Sequence, residues 1–212
     1  MKNNAVIFDL DGTMWNACGP VMISWNAVLK RHDLPQITRK TVESFMGKTL
    51  SQIVALYFTD MTQEEGLKIA NECVREEAEY LAAHGAELYD GLADTLERLA
   101  QHYMLCLVSN CEAGYAEAFL SYHGFERLFA DFEYSGRTKK SKGENIRMVM
   151  ERNGIEKAVY VGDTQSDCDA ARQAGIPFIH ASYGFGNVDA AEASIATIRE
   201  LPASVQLVFD KI

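Results

Sequence analysis

A chain of 212 residues with 48% hydrophobic content can bury one substantial core, or a core plus a smaller insert. Its formal net charge of -10, with no run of Lys or Arg, excludes broad binding to nucleic acid or to anionic membrane, both of which need basic surface. An anionic small substrate stays open if a metal or a few placed cations meet its charge.

The first predicted element is the apolar strand Asn4-Ala5-Val6-Ile7-Phe8, which stops abruptly in Asp9-Leu10-Asp11-Gly12-Thr13. Residues two apart on a strand share a side. Asp9 and Asp11 are therefore expected in one small space, where they repel unless a cation lies between them or one keeps its proton. A polar turn after an edge strand would account for one Asp and the Gly, but less well for the whole string. Residues 16–85 then read as helical. Val21, Trp25, Val28 and Leu29 recur at helical spacing, as do Leu50, Ile53, Val54 and Tyr57, and then Leu67, Ala70, Val74, Ala78 and Leu81. His84-Gly85 closes this block with a Gly helix stop.

From residue 86 onward helix and strand alternate. Leu92, Leu96 and Leu99 mark a helix, and residues 103–108 a strand. Tyr115, Ala118, Phe119 and Tyr122 form another helical face, followed by a short strand over residues 132–134. Ile146, Val149 and Met150 are helical, residues 158–161 a strand, residues 169–174 a small-residue helix, residues 176–180 the last clear strand, and residues 201–209 a closing helix. Such alternation predicts an α/β fold whose parallel sheet is covered on both faces, with the helical block inserted after the first strand. No internal repeat or low-complexity segment is seen. Cys18, Cys73, Cys106, Cys111 and Cys168 are odd in number and include no Cys-x-x-Cys, so a reducing, cytoplasmic setting without structural disulfides is expected. Cys111 lies near a suspected active loop, but nothing beside it marks a nucleophile. No apolar stretch approaches the roughly 20 residues of a membrane span, and no cleavable leader is expected, since the first strand begins at once.

Three predicted strands end in polar groups: Asp9 after the first, Ser109-Asn110 after residues 105–108, and Gly162-Asp163 after residues 159–161, with Asp167 four residues on. In open parallel sheets ligands bind outside the carboxyl ends of strands, so these groups can converge. Alone, Gly-Asp-Thr-Gln-Ser-Asp reads equally well as a helix cap with acids in its first turn. Beside Asp9 and Asp11 it reads better as part of an oxygen-only site for Mg²⁺, which takes one or two carboxylates and a substrate phosphate. His32, His84, His102, His123 and His180 are scattered and make no zinc spacing. Lys139, Lys140 and Lys142 precede the helix carrying Ile146. Lys142 stands closest to its start and is the cation expected to face the phosphate.

These residues resemble the haloacid dehalogenase superfamily across the whole chain. Asp9-Leu10-Asp11-Gly12-Thr13 is similar to its first motif, Ser109-Asn110 to its second, Lys142 to its third, and Gly162-Asp163 through Asp167 to its fourth. The resemblance implies a Rossmann-like core of residues 1–15 and 86–212 with a helical cap of residues 16–85, as in the phosphoglycolate phosphatase and beta-phosphoglucomutase branch. It implies a Mg²⁺-dependent phosphatase acting on a small phosphorylated metabolite, with a sugar phosphomutase as the alternative, in a monomer or homodimer. Asp9 would accept the phosphoryl group, and Asp11 would serve as acid and then base. The Asp9 carboxylate, the Asp11 carbonyl and Asp163 would hold the metal, Asp167 would support its waters, and Ser109, Asn110 and Lys142 would bind the phosphate. Asp11 argues against dehalogenation, since an ejected halide needs no proton.

Departures are also visible. Met14-Trp15-Asn16-Ala17 replaces the common Leu-x-Asp-Ser continuation, and Trp15 is expected beside the pocket, restricting the substrate. Gly143 follows Lys142 where Pro is frequent. In the helical block, Phe45-Met46-Gly47-Lys48-Thr49 resembles a loop that contacts the leaving group in some relatives, which makes Lys48 a candidate substrate contact. Gly47-Lys48-Thr49 is not a P-loop, because Val42 stands where its first Gly belongs. Gly184-Phe185-Gly186 likewise lacks the third Gly of a dinucleotide fingerprint, with Asp189 in its place. A non-catalytic binder has no need of so complete a set of acids. Phosphonate cleavage would have only Lys48 as its cap lysine, and that chemistry usually replaces the acid at Asp11.

Overall fold

The computed structural model describes residues 3–212. Residues 5–8 are apolar and wholly buried, as suits a strand covered on both faces. They belong to β1 (Asn4–Phe8), which is followed by a two-residue strand β2 (Trp15–Asn16) and the helices α1 (Cys18–Arg31), α2 (Arg39–Glu43), α3 (Leu50–Tyr57) and α4 (Gln63–His84). A second two-residue strand, β3 (Glu87–Leu88), returns the chain to α5 (Leu92–Ala100), β4 (Met104–Ser109), α6 (Tyr115–His123), β5 (Phe129–Tyr134), α7 (Ser135–Thr138) and α8 (Lys142–Asn153). The chain ends with β6 (Lys157–Gly162), α9 (Gln165–Ala174), β7 (Phe178–Ala181), β8 (Ala193–Ile195), a 3-10 turn (Ile198–Glu200) and α10 (Leu201–Phe209).

The main sheet has six strands in the order β5-β4-β1-β6-β7-β8, all parallel. β1 is central, with β4 on one side and β6 on the other, so the expected Rossmann-like topology holds. Ala5 and Ile7 face α8 and α9, where Ile146, Val149, Cys168 and Ala171 close one layer. Val6 and Phe8 face the opposite layer with Leu96, Phe119 and Val205. That second layer continues without a break through Trp15 into Val21, Trp25, Leu29 and Ile69 of the helical block. The block enters and leaves beside an antiparallel ribbon in which Trp15 pairs with Leu88 and Asn16 with Glu87.

Several element bounds differ from expectation for local reasons. α9 starts at Gln165 because Thr164 and Asp167 form a capping box ahead of it. β7 starts after Pro177, which cannot donate to the ladder. β5 begins at Phe129, and β8 is a short strand with no apolar run, held by pairing with β7. Tyr122, expected on the buried face of α6, is 47% exposed and lies against the backbone of Gly85. Among the described residues no helix is long and apolar enough to cross a membrane.

Candidate active site

The neighbouring strands β4, β1 and β6 end at Ser109, just before Asp9, and just before Asp163, respectively. After β1 the chain turns tightly: Met14 N donates to Leu10 O at 2.9 Å, and Gly12 takes φ 77°, a conformation that suits glycine. A Cβ at Gly12 would lie 2.1 Å from Asp163 Oδ2, so the turn presses on that carboxylate. Lys142 is the first residue of α8, whose start is fixed by the Ser141–Glu144 capping box. Asp163 directly precedes the Thr164–Asp167 box, which sets α9 one residue later.

These devices bring widely separated residues into contact. Lys142 Nζ donates to Asp9 Oδ1 at 2.8 Å and to Asp167 Oδ1 at 2.6 Å, and all three side chains are buried. Carboxylate oxygens of Asp9, Asp163 and Asp167 lie within 4.8 Å of one another. Burial, and then Asp167, pushes Asp9 up to about 7. Burial, and then Asp167 and Asp9, pushes Asp163 up to about 8. Burial disfavours the Lys142 ammonium, but Asp167 and Asp9 outweigh it and hold that group well above the ordinary range. One ammonium thus offsets only part of the negative charge of three buried acids.

The donor set fits a hard divalent cation. Asp163 Oδ1 is buried without a hydrogen-bond partner, an expensive state for a carboxylate that a ligated cation would relieve. Its other oxygen accepts from Phe185 N at 2.6 Å. The loop over residues 183–186 wraps Asp163 closely: a Cβ on Gly184 would stand 2.3 Å from the Asp163 Cβ, and one on Gly186 2.8 Å from its carbonyl oxygen. This loop, dismissed as a nucleotide fingerprint, is a cradle for the acid. Both Asp167 oxygens accept protein hydrogen bonds, Oδ1 from Lys142 and Oδ2 from Thr164 N at 3.0 Å and Thr164 Oγ1 at 2.7 Å. The Asp11 carboxylate stands outside the three-acid cluster.

Asp11 has partners that sequence reasoning missed. Trp15 Nε1 donates to its Oδ1 at 3.0 Å, and Tyr115 Oη donates to the same oxygen at 2.7 Å. Burial raises the Asp11 carboxyl to about 6, while these two donors oppose the rise. Trp15 is fully buried against Tyr115 and Phe119; it stands beside the cavity, as expected, through its bond to Asp11, but is not itself among the lining residues. The Asp11–Tyr115 contact spans 104 positions and has no local signal.

Asp9, Asp11, Ser109 and Asn110 line one cavity, open to solvent, whose far side is the helical block. Lys48 also lines it. The Asn110 side chain is already engaged: Nδ2 donates to Gly47 O at 2.9 Å, and Oδ1 accepts from Ser135 Oγ at 2.8 Å. Asn110 thus ties the sheet edge to the loop carrying Lys48. Cys111 lines the cavity too, but burial pushes its thiol well above the ordinary range, away from the reactive thiolate.

A family model described as haloacid dehalogenase-like hydrolase matches residues 6–181. The chain is 28% identical over 186 residues to the phosphoglycolate phosphatase of Xanthomonas campestris pv. campestris, spanning 85% of this chain and 84% of that protein. It is 25% identical over 200 residues to the phosphoglycolate phosphatase of Pasteurella multocida, spanning 88% and 89%. In fold it is similar to a predicted phosphoglycolate phosphatase from Haemophilus somnus, with TM-score 0.84, 24% identity, and coverage of 97% of this chain and 100% of that one.

Proposed function

The chain belongs to the haloacid dehalogenase-like hydrolases, and from that premise we propose that it is a Mg²⁺-dependent phosphatase of a small phosphorylated metabolite, working through a phosphoryl group carried on Asp9. The observation that carries this reading is Asp9 itself: buried at the end of the central strand, 2.8 Å from the Lys142 ammonium, clustered with Asp163 and Asp167, and open to the cavity. Phosphoryl transfer asks mainly for positioning and for charge stabilisation, and this arrangement offers both.

An Asp9 carboxylate oxygen attacks phosphorus, and the bond from phosphorus to the alcohol oxygen breaks. Asp11, raised to about 6 in its partly buried place, gives its proton to the departing alkoxide. It then takes a proton from the water that attacks the acyl-phosphate, and Asp9 is freed with release of inorganic phosphate. Trp15 and Tyr115 hold one Asp11 oxygen while this happens. Lys142 orients Asp9 and balances the incoming phosphate. Asp9 and Asp163, with the Asp11 carbonyl, would hold Mg²⁺, and Asp167 would steady Lys142 and the metal's waters. When bound, the metal neutralises phosphoryl charge.

The test uses p-nitrophenyl phosphate. Turnover with Mg²⁺, its loss in excess chelator and its loss in Asp9→Asn are expected. Full activity in chelator would remove the metal from the reading, and full activity in Asp9→Asn would remove the nucleophile. A panel of phosphorylated metabolites then ranks substrates by released phosphate.

A further inference from the structure

The two sides of the cavity are chemically unlike. Its floor carries Asp9, Asp11 and Ser109, whereas its wall, contributed by α1, α3, α4 and the loop before α3, presents Val21, Trp25, Phe45, Ile53 and Val74. Trp25 and Phe45 are buried and set with ring centroids 5.6 Å apart. Among the described residues Lys48 is the only cation lining the cavity, and it is exposed.

Within this apolar wall stands one carboxyl, Glu77. It is 9% exposed and occupies the buried stripe of α4 in register with Ile69, Cys73 and Leu81. A Leu there would serve packing alone, and burying a carboxyl costs free energy unless something answers it. The Trp25 indole donates to Glu77 Oε2, and among the described residues no other hydrogen bond reaches Glu77. Glu77 itself lines the cavity, and among the described residues its Oε1 carries no protein hydrogen bond. Glu112 lines the same space and adds a second carboxyl. Glu112 is already paired with Lys139 at 3.5 Å, so a carboxylate brought in on the leaving group would meet chiefly Glu77 and an aromatic surface, with Lys48 the one cation among the described residues lining the cavity.

We propose that the alcohol half of the substrate has an apolar body that packs on Trp25 and Phe45 and ends in a hydrogen-bond donor, a hydroxyl or an ammonium, that meets Glu77, and that it is not a carboxylate. This rests on the phosphatase reading of the same cavity and names its leaving group. It also separates this chain's substrate from the glycolate ester in its relatives' names.

The experiment compares alkyl phosphates of equal length that end in an ammonium, a hydroxyl, a methyl or a carboxylate group, with Mg²⁺ present and at a pH of roughly 9, above the value of about 8 to which burial raises the Glu77 carboxyl, so that Glu77 is ionised. The donor-ended esters should lead in kcat/KM, and the carboxylate ester should trail the better of them by about ten- to hundredfold, the worth of one hydrogen bond to a charged group. Glu77→Leu should close the gap between donor-ended and methyl-ended esters. Glu77→Gln keeps an acceptor, so it should spare a hydroxyl preference and erase an ammonium preference. Circular dichroism of both variants verifies folding. A carboxylate ester equal to or better than the others, a leading methyl ester, or a donor gap that survives in Glu77→Leu would overturn the proposal. If no ester, p-nitrophenyl phosphate included, is turned over, the phosphatase reading fails. The ranking is then read as affinity by titration calorimetry on the wild type and on Asp9→Asn, and the same three outcomes decide it.

Discussion

At the sheet edge, Asp9, Asp163 and Asp167 are positioned by main-chain devices: strand ends, a turn at Gly12 and the capping box of α9. On the cap side, Trp25, Phe45 and Glu77 are positioned by helix packing around an apolar core shared with the rest of the molecule. The first region is polar and heavily charged, and its chemistry tolerates little change in distance. The second is apolar, and its shape can vary with each side chain. On the proposed reading, catalysis and selectivity fall to regions of different construction.

That contrast can be broken or sharpened by experiment. The largest effect is expected at the floor. Asp9→Asn should lower kcat by roughly 10⁵ or more, as loss of a nucleophile does in other covalent enzymes, and a stopped assay of phosphate release checks it. Loss of only a few fold would mean that the floor positions no nucleophile.

Next comes the wall. Burial raises the Glu77 carboxyl from 4.5 to about 8. Because the folded value lies above the unfolded one, the neutral group's stabilisation is whole below pH about 4.5 and is lost as pH rises through about 8. Between those limits the slope approaches roughly 1.4 kcal/mol per pH unit. Glu77→Gln should flatten the fall of thermal stability over this interval, and equal slopes in both proteins would show that the carboxyl is solvated.

Metal binding should add stability at the floor. Saturating Mg²⁺ should raise Tm, by an amount equivalent to about 2.7 kcal/mol at a hundredfold excess over Kd. Asp163→Asn should lose most of that response, as read by scanning calorimetry.

Lys48→Ala should then cost about 1–3 kcal/mol in kcat/KM for the best substrate of the metabolite panel, with a slight effect on p-nitrophenyl phosphate, which offers the cap little to hold. Equal losses on both substrates would place Lys48 in stability rather than recognition.

The smallest effect lies where the regions meet. Tyr115→Phe removes a donor that favours ionised Asp11, so the Asp11 carboxyl should rise further above 6. The alkaline limb of kcat/KM for an alkyl phosphate should move upward by about one pH unit, roughly 1.4 kcal/mol. A downward shift would deny Asp11 the role of acid.

The floor was largely readable from sequence because each of its parts is a short string with a backbone reason: a strand that stops in Asp9, a Gly-Thr turn, and a capping box just after Asp163 that carries Asp167 into α9. Lys142 could be chosen over Lys139 and Lys140 because it stands at a helix start. The wall was not readable in the same way. Trp25, Ile53 and Val74 recur at helical spacing, and that pattern says core without distinguishing a core from a cavity lining. Glu77 lies among Glu76, Glu79 and other acids, where one more carboxylate looks solvated. The Tyr115 contact to Asp11, and the wrapping of Asp163 by Gly184 and Gly186, join residues far apart in the chain. The Asn110 side-chain bond to Gly47 O joins residues 63 positions apart and has no local signal.

The apolar layer that passes unbroken from Phe8 and Phe119 through Trp15 to Trp25 and Ile69 bears on how this protein can be re-engineered. A helical block that kept its own sealed core could be exchanged between relatives as a module. Here the seam is itself core, so a grafted cap would meet Trp15 and α6 with the wrong shapes and leave voids at the junction. Chimeras cut at residues 16 and 85 should unfold early unless α6 travels with the cap. New specificities are better sought by saturating Val21, Phe45, Val74 and Glu77 in place, which changes the wall while leaving the seam intact.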